Sequence, residues 1–362
     1  MKKTLLAAAL LAGFAGVAQA QSSVTLYGIV DVGIGGTNKH DQDSSYGMVS
    51  GVQSGSRWGL RGTEDLGNGL RANFQLESGF DVGRGTQLQG SRLFGRAAWG
   101  GLSGAWGETR FGRQVTASSD TMAFIDPFGT GFQQAAIGSS MNGVSTNRAD
   151  NTVSYITPDV AGFRGMVGYS FNYDGGVATS DNSNRLVSVG LKYANGPFAV
   201  GAAYERAYIG DTTAWNTAMG GKDPYNYTVG GTWDFNVVKA YAAWSQMKHG
   251  YTNPGNGDVV GQLPSSGTLR YFPDGKVNAY MVGLSVPVGQ AAVFGSWQRN
   301  EPKSGYLADN GFDSKQNVYS IGATYDLSKR TNLYAFFSYA DKAWYDSDFD
   351  SKAYAVGIRH RF

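Results

Sequence analysis

Past residue 20 the chain has no apolar run long enough to cross a membrane as a helix, yet apolar and polar side chains alternate along it with a period of two. From Tyr225 to Phe235, Tyr225, Tyr227, Val229, Gly231, Trp233 and Phe235 share one face, and Asn226, Thr228, Gly230, Thr232 and Asp234 share the other. A period of two is the signature of a strand with two unlike faces. Val187 to Tyr193, Tyr280 to Val286 and Tyr319 to Leu327 repeat the pattern. Each such segment runs to roughly 10–12 residues, enough to cross a bilayer at a steep tilt. A soluble β-sandwich shares the period but buries its apolar face in a core. Here the aromatic and aliphatic face continues through the whole set of segments, as on the outside of a closed barrel in lipid, where no sheet edge is tolerated.

Connection lengths add the topology. Short turns stand at Leu66–Gly69, Ser103–Gly107, Pro158–Gly162, Ala194–Gly196, Phe235–Asn236, Pro287–Gly289 and Ser328–Arg330. Long polar connections rich in Gly, Asp, Asn and Ser cover about 37–54, 82–91, 114–149, 174–184, 209–224, 250–276, 302–315 and 344–352. Seven turns alternating with eight loops join 16 strands in eight hairpins. The expected fold is therefore all-β: a 16-stranded antiparallel transmembrane β-barrel with short periplasmic turns and long external loops. Composition agrees, because 53 glycines weaken helices while 21 Tyr and 19 Phe favour strands.

Lys2 and Lys3, the apolar stretch Leu5–Val17 and the small-x-small triplet Ala18-Gln19-Ala20 read as an export signal over residues 1–20. The barrel would then occupy 21–362. Losing Lys2 and Lys3 takes Lys+Arg from 30 to 28, equal to the 28 Asp+Glu, so no basic excess points to nucleic acid. With no cysteine, neither disulfides nor thiolate metal sites are available. Asp346-x-Asp348-x-Asp350 lacks the later Gly and Glu of a calcium loop, and Gly33-Ile34-Gly35-Gly36 opens no helix as a phosphate loop would. His40, His249 and His360 have no metal or catalytic spacing. No cofactor, metal or catalytic group is expected, and the chain reads as a non-enzyme.

Several segments resemble the Gram-negative general porins, in particular their β-proteobacterial branch. They are Ser23–Asp31, Ser56–Leu66, Phe111-Gly112-Arg113-Gln114, Asn151–Tyr155 and Gly357–Phe362. Together they span the mature chain. The resemblance implies an integral outer-membrane protein that passes small hydrophilic solutes and ions through a water-filled channel. It also implies a homotrimer set among outer-membrane lipid and lipopolysaccharide, with the third loop folded into each lumen as a constriction. The terminal Phe362, on one face with Tyr354, Val356, Ile358 and His360, sets a ring at the membrane interface.

Alternation then selects the lumen residues. With Trp58 and Leu60 facing lipid, Arg57 and Arg61 face inward; Val153 and Tyr155 in lipid put Arg148 inside; and Ala97 and Trp99 in lipid would put Arg92 and Arg96 inside. By resemblance Arg57, Arg113 and Arg148 match arginines of the constriction wall, and Arg96 a further one. Arg113 breaks the alternation, since Phe111 should face lipid. In the third loop, Asp126-Pro127-Phe128-Gly129 lacks the Glu that the family commonly has between Pro and Phe, which leaves Asp120 and Asp126 as the acids expected at the opening. An arginine cluster against one or two acids predicts a preference for anions.

Overall fold

A computed structural model of the chain describes residues 23–40, 44–141, 148–173, 183–210, 222–249, 251–252, 270–271, 274–309 and 311–362. The expected export signal and much of the expected loops at 174–184, 209–224 and 250–276 lie outside these residues.

Sixteen barrel strands follow in order. They are β1 (Ser23–Lys39), β2 in two collinear pieces (Ser45–Ser50 and Arg57–Gly67), β3 (Leu70–Gly79), β4 (Ala97–Gly104), β5 (Gly107–Val115), β6 (Arg148–Ile156), β7 (Phe163–Ser170) and β8 (Arg185–Asn195). The second half comprises β9 (Phe198–Tyr208), β10 (Tyr225–Asp234), β11 (Lys239–Lys248), β12 (Lys276–Val288), β13 (Ala291–Pro302), β14 (Gln316–Asp326), β15 (Thr331–Asp341) and β16 (Ser351–Arg361). Each strand is antiparallel to its neighbours, and β1 closes the ring by pairing with β16 from Ile29↔Arg361 to Lys39↔Ser351. Closure removes the unpaired edge that lipid would not accommodate.

The alternation read from sequence sorts the two faces. Leu26 (60 %), Ile321 (58 %), Leu284 (54 %) and Val356 (60 %) stand exposed on the outside, an apolar band that suits lipid and would be a liability in water. Polar partners Thr228, Ser245, Ser188 and Ser338 are turned inward and buried.

One strand has the opposite phase from that expected. In β4, Leu102 is exposed on the outer face, while Ser103 Oγ accepts from Asn73 Nδ2 and Trp99 Nε1 donates to Gln75 Oε1. Trp99 therefore faces the lumen. The strand holds three glycines and two alanines in eight residues, so the alternation is weak and the bulky Trp was the misleading cue.

The third loop runs from β5 back across the interior. Its first part is helix α1 (Ala117–Ile125), capped by Thr116, whose side chain accepts from the Ser119 N–H. Inward-facing glycines make a bed for it. A Cβ on Gly201 would lie 2.7 Å from the Phe124 ring, one on Gly230 2.7 Å from Ile125 Cδ1, and one on Gly283 2.7 Å from Pro127 Cγ. Beyond the helix, Phe128 and Phe132 pack edge-on against Phe294, with centroids 5.0 and 5.3 Å apart, and Phe132 also meets Tyr334 and Phe336. Each such pair contributes about 0.5–1.5 kcal/mol beyond its buried area. Wall amides satisfy the loop backbone: Gln298 donates to Ala135 O, Asn300 to Ser140 O and Gln316 to Ser139 O. The loop is thereby fixed to the inner wall over β11–β16.

Candidate functional site

Opposite that anchored loop, the inner wall of β2–β6 gathers a belt of arginines. Arg57 opens the second piece of β2, Arg96 immediately precedes β4, Arg113 lies near the end of β5 and Arg148 begins β6. Arg148 has Arg96, Arg57 and Arg113 as electrostatic neighbours, so the four expected arginines come together.

Arg57 obeys the expected alternation. Its Nε donates to Gly55 O at 2.7 Å. Arg96 reaches the belt by a different route from the one expected. The phase of β4 would turn residue 96 outward, but the chain is still leaving the preceding loop there, and Arg96 Nε donates to Glu77 Oε1 at 2.7 Å.

Arg113 is explained by a bulge. Gly112 pairs with Thr152 and Gln114 with Ala149, so Asp150 and Asn151 together stand opposite Arg113 alone. The extra residue, with Asn151 at φ +48°, and Gly112 at φ +127° beside Arg113 in β5 together break the two-residue phase. It also brings Asp150 within 2.6 Å of Arg113 Nη1, while Arg113 Nε donates to Gly95 O.

Two acids that sequence reasoning missed counterbalance the belt. Glu77 accepts from Arg96, lies 3.9 Å from Arg57 Nη1 and takes the Tyr27 hydroxyl on its other oxygen at 2.9 Å. Asp150 accepts from both Arg113 and Arg92, each at 2.6 Å. The signal was present, because Glu77 shares the inward face of β3 with Asn73 and Gln75, and Asp150 precedes the inward Thr152 and Ser154. Five arginines meet two carboxylates here among the described residues, a local excess of positive charge.

The loop acids sit elsewhere. Asp126 is 4 % exposed and turned into the loop itself, where its carboxylate accepts the backbone N–H groups of Phe128, Thr130 and Ile137 at 2.8–2.9 Å. The expectation that it faces the opening is corrected on this ground: the turn at Pro127 presents the N–H groups of Phe128 and Thr130, and the later turn at Ile137–Ser139 a third, all of which need an acceptor. Burial pushes its pKa up to about 6, against the lowering effect of those hydrogen bonds. Asp120, on the first turn of α1, is exposed but ion-paired with Lys192 of β8, which also lies over the Phe124 ring. Neither acid pairs with the arginine belt. Such an arrangement sets a fixed field across a polar passage.

Comparisons agree with this architecture. The profile of a family described as Gram-negative porin matches residues 7–343. An outer membrane porin protein of Bordetella pertussis is 49 % identical over 395 residues, covering 100 % of both chains. Outer membrane porin protein 32 of Delftia acidovorans is 35 % identical, with 92 % of this chain and 88 % of that one aligned. Among solved structures, an anion-selective porin from Comamonas acidovorans superposes with a TM-score of 0.72 at 30 % identity, covering 94 % of this chain and 100 % of the other. A trimer form of Vibrio cholerae OmpT, 16 % identical, shares the fold with a TM-score of 0.63, over 94 % of this chain and 99 % of that one.

Proposed function

This chain belongs to the Gram-negative porin family, and we propose that within its channel the belt of Arg57, Arg96, Arg113 and Arg148 is the selective wall of the constriction. As an outer-membrane porin it forms a water-filled pore for passive diffusion of small hydrophilic solutes and ions. The finer reading is that it prefers anions. The observation that carries this is the meeting of five arginines, Arg57, Arg92, Arg96, Arg113 and Arg148, with two carboxylates, Glu77 and Asp150, in the belt, combined with a loop whose two acids are occupied by Lys192 and by backbone N–H groups. Net charge cannot supply the preference, since the chain without residues 1–20 is nearly neutral. Local placement can, because fixed charges act on a passing ion within a Debye length of about 8–10 Å. The solved relative from Comamonas acidovorans is an anion-selective porin, which supports the reading.

We also propose that residues 1–20 are removed on export, that the barrel assembles as a homotrimer within lipid and lipopolysaccharide, and that it acts as a channel with no catalytic role. The test of selectivity is the zero-current potential of a single channel across a potassium chloride gradient. A sign that reports chloride passing faster than potassium is expected. A cation-side potential would overturn the proposed preference.

A further inference from the structure

We infer that the inner wall at the short-turn end of the barrel holds a second anion subsite, apart from the arginine belt, shaped for a hydroxylated carboxylate of the sugar-acid class. A cavity of about 360 Å³ opens there, lined by Thr25, Arg61, Thr63, Asn73, Trp99 and Ser103. This volume is in the range of small-molecule pockets and far larger than a bare halide needs. Arg61 stands four residues along β2 from Arg57, roughly 13 Å toward the short turns at the strand rise of about 3.3 Å per residue.

The groups lining the cavity divide into fixed and available ones. Thr63 Oγ1 donates to Asn73 Oδ1 and Asn73 Nδ2 donates to Ser103 Oγ, at 3.0 and 2.8 Å. Trp99 Nε1 donates to Gln75 Oε1, and Gln75 Nε2 to the Tyr27 hydroxyl, at 3.2 and 2.6 Å. These two chains of hydrogen bonds hold the walls, and the Arg110 guanidinium, 4.3 Å from the centroid, covers one face of the Trp99 ring. Glu108, the acid at the cavity edge, is taken by Arg110 at 2.7 Å. Arg61 makes no ion pair among the described residues; its guanidinium lies over the Tyr27 ring, 5.2 Å from the centroid.

What remains for a ligand is an exposed guanidinium, the Ser103 O–H as donor, the Thr63 oxygen as acceptor, the Thr25 hydroxyl as either, and the part of the indole that Arg110 leaves uncovered. Arg61 supplies a bidentate partner for a carboxylate. The hydroxyls suit a body that both donates and accepts hydrogen bonds, and the indole suits a ring that packs flat. A simple inorganic anion would use only the first of these.

The inference takes from the proposed function only that this wall lines the pore. Single-channel chloride current would be recorded with D-glucuronate added from the short-turn side, and with glucose and acetate as probes lacking the carboxylate and the ring. Transient block by glucuronate is expected, with little from glucose or acetate. It should weaken at least tenfold in Arg61→Gln and several-fold in Trp99→Leu. Every recorded channel is an assembled barrel, so misfolding cannot imitate the result. Block that survives both substitutions, or acetate blocking as strongly as glucuronate, would overturn the subsite. The belt is scored separately: if Arg57→Ser/Arg148→Ser leaves the reversal potential unmoved while Arg61→Gln abolishes block, the belt reading fails and the subsite stands.

Discussion

At Asp126 one carboxylate accepts three backbone N–H groups where the third loop turns away from its helix, and burial raises its pKa from 3.8 to about 6. A folded-state value above the unfolded one means the group favours the folded state most in acid. Its contribution is full below about 3.8 and is lost as pH rises through about 6. Replacement by Asn removes an acceptor oxygen and sets an NH₂ against a backbone N–H. Leaving a buried donor unmet costs about 1–3 kcal/mol. Asp126→Asn is therefore expected to lower the thermal unfolding midpoint at pH 7 and to lose the pH dependence. As pH falls from 7 to 5, the midpoint of the wild type should rise relative to that of the variant, measured by circular dichroism in detergent. Parallel curves for the two proteins would show that the carboxylate does not titrate where the loop geometry puts it.

The strands show what a sequence can and cannot reveal. In β10 the face of Tyr227, Val229 and Trp233 is exposed and that of Asn226, Thr228 and Thr232 is buried, as the alternation dictates. In β4, glycines and alanines occupy both faces, so either phase is admissible until Ser103 and Trp99 find partners across the sheet. Arg113 escaped alternation because a bulge in the partner strand and the positive φ of Gly112 beside it break the phase locally, and neither shows in a period-two pattern. Asp126 looked like a lumen acid because its role depends on N–H groups up to eleven residues away. Strand ends carry a further consequence. Phe362 N and O both bond to Gly28, and a Cβ on Gly28 would lie 2.2 Å from Phe362 Cζ and 2.7 Å from Arg57 O. The terminal ring thus seats in a slot that only glycine leaves open, at the seam where β1 meets β16. Deleting Phe362, or introducing Gly28→Ala, is expected to reduce the amount of folded barrel in the membrane more than the conductance of the barrels that form. Folded yield unchanged in both variants would contradict this account of the seam.

For the molecule as a whole, the closed ring and the anchored loop make each barrel a complete pore, and assembly is a separate matter. The proposed homotrimer predicts a large species in unheated mild-detergent electrophoresis that collapses to monomer on boiling; one monomer band under both conditions would count against it. The proposed field inside the pore arises from arginines on the β2–β6 wall that outnumber their acids while the third loop contributes no acid to them. The most direct measurement is the zero-current potential of the Arg57→Ser/Arg148→Ser channel across a salt gradient, taken at low and at high mean salt. The account predicts a clear shift toward cation preference relative to the wild type at low salt, shrinking at high salt as screening shortens the reach of the remaining charges. A double variant that keeps the wild-type potential at low salt would contradict it.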